Sequence, residues 1–100
     1  MAVIVHVTLP GVTPAQYDAV RAACGWLDDH PAGGLGHFTW FADGDCHNVD
    51  AWESEAAFGA FGEQRLAPAM ASAGVAVEPI VTFDPAHEVF TPVSASVLAT

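Results

Sequence analysis

Asp43-Gly44 is the feature that most narrows what this chain can become. It separates residues 37–42, rich in aromatic and β-branched residues, from residues 46–52, which run extended again. A two-residue Asp-Gly loop between such runs predicts a β-hairpin. With Asp43 and Gly44 as the turn, Phe41 lies opposite Cys46, Thr39 opposite Asn48, and His37 opposite Asp50. Alternation then places His37, Thr39, Phe41, Cys46, Asn48, Asp50 and Trp52 on one face. Phe38, Trp40, His47, Val49 and Ala51 take the other. The first set is mixed polar and aromatic, as a ligand pocket requires. The second is mainly apolar, as a buried interface requires. A one-residue change in the turn would reverse this relation between the strands.

The flanking chain supplies the remaining elements. Residues 3–9 form a β-branched run closed by Pro10-Gly11 and predict a first strand. Thr13 followed by Pro14 is an N-cap with proline at the first helical position. Tyr17, Val20, Cys24 and Leu27 then recur at helical spacing, predicting a helix to about Asp28. Residues 30–36, with Pro31 and three glycines, predict loop. Ser54 caps a second helix with Glu55 in its first turn. Phe58, Phe61, Arg65, Leu66 and Met70 fall along one side of that helix, and Gly74 stops it. Residues 75–83 predict a last strand, which Pro79 confines to an edge or a bulge. From Asp84 the chain, with Pro85, His87, Phe90 and Pro92, predicts an extended arm that frays from about Ser94.

The order is βαββαβ, an α+β ferredoxin-like pattern. It consists of a four-stranded antiparallel sheet with two helices on one face. One domain over residues 1–92 and a flexible tail over 93–100 account for all 100 residues. The sheet's other face should be solvated and polar, yet Phe38 and Trp40 lie there while Phe41 and Trp52 lie on the helix side. A two-sided apolar sheet calls for a cover, and homodimerisation through the sheets supplies it.

Charge narrows the partners. Twelve carboxylates stand against two cations, Arg21 and Arg65, for a net charge of -10 and no lysine. Duplex binding requires a stripe of Lys and Arg, and so does attraction to anionic headgroups. Neither nucleic acid nor an acidic membrane is therefore an expected partner. Cys24 and Cys46 lack CxxC spacing and any framework pattern. No basic region precedes a signal-like apolar run, and no run approaches the ~20 residues of a membrane span. A cytoplasmic protein is expected.

Two segments carry a family likeness: Asn48-Val49-Asp50-Ala51-Trp52-Glu53-Ser54-Glu55-Ala56-Ala57-Phe58, and Phe83-Asp84-Pro85-Ala86-His87-Glu88-Val89-Phe90. With the βαββαβ order, the chain resembles the dimeric α/β-barrel superfamily over roughly residues 2–92. Within it, the chain resembles the small antibiotic-biosynthesis-monooxygenase-like proteins. The resemblance implies two sheets packed face to face, with a pocket in each subunit between its sheet and its helices. Cofactor-free quinone-forming members use an asparagine and a tryptophan four residues apart on this strand, a spacing that Asn48 and Trp52 match. Those enzymes carry a tyrosine six residues after the tryptophan, where this chain has Phe58.

His37 opposite Asp50 is the sharpest pair, because a carboxylate fixes an imidazole's tautomer and leaves its far nitrogen as base or donor. The plain alternative is a histidine satisfied by its neighbour, without chemistry. His6, His37 and His47 invite a metal or haem reading. Opposite parity of His37 and His47 speaks against shared ligation. His6 is read as an interface residue whose face the pattern leaves open. Trp52 could stack on an aromatic substrate or be core. Phe58 and Phe61 pack the core and wall the pocket. Arg65 could hold a phenolate or carboxylate, or pair with a surface acid. Arg21 reads as structural, His87 as an arm residue, and both cysteines as small apolar groups.

These readings converge on a small cofactor-independent enzyme acting on an aromatic or polyketide-like molecule by oxygenation, cyclisation or isomerisation. His37 with Asp50 would move protons. Asn48, Trp52, Thr39, Phe41, Phe58, Phe61 and Arg65 would bind substrate. The alternatives are a dimeric small-molecule-binding or accessory protein without turnover, and a haem- or metal-binding member.

Overall fold

The computed structural model describes residues 1–92; the tail expected over residues 93–100 lies outside the described residues. Four strands, β1 (Val3–Pro10), β2 (Gly34–Ala42), β3 (Asp45–Trp52) and β4 (Ile80–Pro85), form one antiparallel sheet in the order β2-β3-β1-β4. Helix α1 (Pro14–Cys24) follows β1. Helix α2 (Glu55–Phe61), a π-helical turn (Gly62–Leu66) and helix α3 (Ala67–Ser72) follow β3 without a break. This is the α+β ferredoxin-like architecture expected from the order of elements.

The hairpin forms as its turn dictates. Asp43 and Gly44 both have positive φ, 55° and 79°, the type I′ conformation that matches strand twist. The resulting register pairs Phe41 with Cys46, Thr39 with Asn48 and His37 with Asp50. Strand β2 begins earlier than expected, at Gly34 rather than His37, with a bulge between Gly34 and Gly36. Gly33 makes this entry possible. It has φ of 83°, and a Cβ there would lie 2.7 Å from the Ala57 methyl. Its carbonyl also accepts the Glu53 N–H at 2.8 Å.

Helix α1 is opened by a capping box. Thr13 Oγ1 accepts the Gln16 N–H at 3.2 Å, while Gln16 Oε1 accepts the Thr13 N–H at 2.9 Å. The helix ends at Cys24, short of Asp28, because Gly25 takes the left-handed C-cap conformation. Leu27 therefore leaves the helical stripe and is exposed. The second helix is capped by Ser54, whose Oγ accepts the Ala57 N–H at 3.0 Å. It is not one regular helix, however. The Ala67 N–H bonds back five residues to the Gly62 carbonyl, and Pro68, which has no N–H to give, follows at once.

The core lies between the sheet and the helices. Val3, Val5, Val7 and Leu9 of β1 point inward with Cys46 and Trp52 of β3, against Val20, Phe58, Ala69, Met70 and Val75. Strand β4 is shorter at its start than expected: residues 75–79 are irregular, and pairing begins only after Pro79. It runs on to Pro85, at the sheet edge. The arm beyond brings the Thr91 methyl near Gly36, on the opposite edge strand.

The face away from the helices carries Ile4, His6, Phe38, Trp40, His47, Val49 and Ile80, as the strand registers require. Phe38 is 66% exposed, Ile80 57% and Trp40 47%.

Candidate functional site

The helix-facing side of the hairpin and helix α1 together build one polar cluster in an otherwise apolar layer. Registry sets its centre. His37 Nδ1 lies 2.6 Å from Asp50 Oδ1, and the Trp52 indole N–H donates to Asp50 Oδ2 at 3.1 Å. Both carboxylate oxygens of the buried Asp50 thus face donors, the arrangement an ionised carboxylate requires. In the neutral ring this places the His37 proton on Nδ1 and makes Nε2 the acceptor.

The His37 side chain is itself 35% exposed, yet its Nε2 is engaged. The Tyr17 hydroxyl lies 2.7 Å from it, the Thr39 hydroxyl lies 2.9 Å from it, and the two oxygens are 3.1 Å apart. Thr39 in turn donates to Asn48 Oδ1 at 2.7 Å. The Asn48 amide orientation is fixed by its Nδ2 donating to the Val7 carbonyl at 3.1 Å. Among the described residues no buried side-chain polar atom lacks a partner. Burial raises the Tyr17 phenol above its ordinary value; Asp50 and Cys46 add to the rise, while the Thr39 bond and Arg21 offset part of it. Tyr17 is therefore an O–H, not a phenolate, at neutral pH.

Aromatic rings frame this cluster. Trp26, just past the end of α1, lies edge-on to the His37 ring at 5.4 Å and 5.8 Å from Tyr17. Phe41 meets Tyr17 edge-on at 6.2 Å. An open concavity of about 290 Å³ at the turn end of the hairpin is lined by Val12, Thr13, Pro14 and Phe41 with residues 42–45. Phe41 is its shared wall with the cluster.

The structure brings His37, Thr39, Phe41, Asn48, Asp50 and Trp52 together. Their contacts are partly with one another. Asn48 has its amide engaged by Thr39 and Val7. Trp52 is 3% exposed, packed against Phe58 and Phe61 with ring centroids 5.6 and 5.2 Å away. Phe58 and Phe61 lie behind Trp52, and Phe58 also meets Phe83.

Arg65 stands apart from the cluster. From the π-helical turn its Nη2 donates to the carbonyls of Cys24, at 3.0 Å, and Asp29, at 2.8 Å. It also approaches the Asp29 carboxylate at 3.8 Å and lies over the Phe61 ring at 5.7 Å. Its partner is thus a surface acid, Asp29. Arg21 pairs with Asp18 at 3.6 Å.

His6 and His47 are on the open face, with His47 stacked on Trp40 at 5.3 Å; His37 is on the other. Among the described residues no three His, Cys, Asp or Glu side chains are grouped to hold a metal ion. Burial pushes the Cys24 and Cys46 thiols upward, away from reactive thiolates. No helix among the described residues is long and apolar enough to cross a membrane.

Tyr17 and Trp26 are the site residues that sequence reasoning missed. Tyr17 entered only as one position of an apolar stripe. Its signal was that the chain's single tyrosine fell on the helix face turned toward the sheet. Trp26 carried no such signal, because its position depends on where α1 ends.

No protein-family model matches the chain, and no curated protein matches it. Solved structures do. A protein of unknown function from Nitrosomonas europaea is 18% identical, with 93% of this chain and 96% of that one covered and a TM-score of 0.67. A monooxygenase of Streptomyces coelicolor, solved in complex with the ligand nanaomycin D, is 27% identical over 92% and 93% at a TM-score of 0.59. A cofactor-independent oxygenase from Streptomyces nogalater is 16% identical over 88% and 94% at a TM-score of 0.60. The fold of this chain is thus that of the antibiotic-biosynthesis-monooxygenase-like proteins.

Proposed function

We propose that this chain is a small cofactor-independent enzyme acting on an aromatic or polyketide-like molecule between α1 and the edge strand β2. One observation carries the reading: a histidine held by a buried carboxylate whose second oxygen is itself held by an indole N–H. A carboxylate with both oxygens held by donors orients an imidazole and stabilises an imidazolium beside it. His37 is therefore the proton acceptor and Asp50 its orienting partner. Oxygenation, cyclisation and isomerisation of such substrates share a first step, removal of a proton from an acidic C–H or O–H to leave a delocalised anion. In an oxygenation, that anion then gives an electron to O₂.

Substrate binding falls to the groups with free surface. Phe41 and Trp26 are the aromatic walls. Asn48 and Trp52 act one step back, Asn48 by aiming Thr39 and Trp52 by aiming Asp50, while Phe58 and Phe61 seat Trp52. Arg65 steadies the segment that carries Trp26. Two similar structures, a cofactor-independent oxygenase and a monooxygenase in complex with nanaomycin D, support oxygenation as the reaction class.

The homodimer belongs to the same proposal. Phe38 and Trp40 on one edge strand and Ile80 on the other leave large apolar side chains exposed on the face away from the helices, a face that calls for a cover. A second copy covers it with the same residues, as two-fold symmetry requires.

Anthrone with dissolved O₂, and no added flavin, metal or haem, is the test substrate. Its oxidation to anthraquinone consumes one O₂ and releases one water. Oxygen uptake should accompany formation of anthraquinone, and His37→Gln should abolish it. Equal anthrone binding by both proteins with no oxygen uptake by either would favour the non-catalytic binding protein, a reading to which the open, unenclosed concavity lends weight.

A further inference from the structure

Three polar atoms at the cluster are mutually in contact, yet too few protons are available to join them. His37 Nε2, the Tyr17 oxygen and the Thr39 oxygen lie 2.7, 2.9 and 3.1 Å apart. The Thr39 proton is committed to Asn48 Oδ1, whose identity as oxygen is set by Nδ2 donating to Val7. The His37 proton is committed to Asp50. In the resting cluster, only the Tyr17 O–H remains, and it serves one of the three contacts, the shortest.

Two consequences follow. The in-plane lone pair of Nε2 is already taken by the Tyr17 hydroxyl, and an imidazole nitrogen has only one. A substrate proton therefore has no free nitrogen to reach. One added proton also improves the cluster: Nε2–H can donate to Tyr17 while the Tyr17 O–H donates to Thr39, which has a lone pair free. Such a site is complementary to the state reached after proton transfer.

The geometry points to Tyr17 as the catalytic group that touches substrate, a relay whose oxygen takes the substrate proton while its own proton passes to His37 Nε2. This rests on the reading of His37 as proton acceptor. In the step, the substrate X–H bond and the old Tyr17 O–H bond break, while a new Tyr17 O–H bond and an Nε2–H bond form. The products are a substrate anion and an imidazolium paired with Asp50, so charge is conserved. Tyr17 never becomes a free phenolate, which suits a half-buried phenol whose proton is held more firmly than in water. The groups facing it are His37 and Thr39 on β2, Asp50 and Cys46 on β3, and Arg21 on its own helix. Thr39 is a positioning residue: it accepts in the loaded state because Asn48 holds its proton away.

Two measurements test the relay. The first uses no substrate. Diethyl pyrocarbonate acylates an unprotonated imidazole nitrogen that is free, and mass spectrometry assigns the adducts among the five histidines. His37 should react slowly in the wild type beside the exposed His30, and Tyr17→Phe should raise its rate at least about tenfold by freeing Nε2. If His37 already reacts as fast as His30, and the variant changes nothing, Nε2 is free and the relay is wrong. The second is anthrone oxidation. Tyr17→Phe and His37→Gln should each lower kcat by roughly 10²-fold or more, and the double variant should lose little further, since the two act as one unit. Thr39→Val should lower kcat at constant KM, with Thr39→Ser restoring it. An active or faster Tyr17→Phe alongside a dead His37→Gln overturns the relay and keeps His37 as base. A fully active His37→Gln overturns both.

Discussion

His37 and Asp50 meet at 2.6 Å because Asp43-Gly44 makes them cross-strand partners on the inner face of the hairpin. The pair is thus a product of turn geometry. Asp50 is 7% exposed, the one buried carboxylate among the described residues, and its two oxygens are divided between an imidazole and an indole. Replacing it tests that division. Asp50→Asn presents an NH₂ where an oxygen accepted, which breaks one of the two bonds and removes the charge. Anthrone turnover should fall by on the order of 10²- to 10⁴-fold. Urea denaturation should show a loss of about 1–3 kcal/mol from the donor left unpaired.

Trp52 separates a polar from a packing role within one side chain. Trp52→Phe keeps most of the contact with Phe58 and Phe61 and removes only the N–H to Asp50. It should lower turnover while costing about 1–2 kcal/mol, whereas Trp52→Ala also opens a cavity and should cost about 3–5 kcal/mol. Equal stability of the two variants in chemical denaturation would contradict this packing role.

The single tyrosine makes its own titration visible. Burial raises the Tyr17 phenol, so the 295 nm absorbance of the folded protein should titrate with a midpoint above the ordinary 10.0. Below pH 10 the phenol is protonated in both folded and unfolded chains, and its contribution is fully present. As pH rises beyond that, the unfolded chain releases its proton first, and stability is lost as pH climbs through the folded value. Tyr17→Phe should flatten the fall in stability that the wild type shows over this alkaline range.

Arg65 joins two carbonyls, 41 and 36 residues away in sequence. They bracket the segment that carries Trp26. Arg65→Ala leaves both without this partner and should destabilise by about 1–3 kcal/mol in thermal unfolding. Arg65→Lys should recover only part of that, since an ammonium lacks the planar fork. An Arg65→Ala protein with unchanged Tm would remove Arg65 from this bracing role.

The open sheet face predicts the mass in solution. Gel filtration should give about twice the 10.4 kDa chain, and Trp40→Glu combined with Phe38→Glu should return it to the monomer by placing charges in the interface core. A wild type that elutes as a monomer would remove the dimer proposal.

Much of this protein was legible in the order of its residues, and the reason is local. The Asp-Gly turn, the Thr13 and Ser54 caps and the alternation of the strands act over two to four residues. They determined the βαββαβ order, the hairpin register and hence the pairing of His37 with Asp50 and of Thr39 with Asn48. Where local signals competed, boundaries moved. Gly25 stopped α1 before the stripe ended at Leu27, and Pro68 brought a π-helical turn into what reads as one helix. The partners of Arg65, the packing of Trp26 on His37 and the closure of Tyr17 onto Nε2 were decided only by tertiary structure. Each depends on the distance and angle between α1 and the sheet, set by the summed packing of the core rather than by any short run of residues. A phenol seventeen residues into the chain becomes the neighbour of an imidazole at position thirty-seven only once that layer has formed.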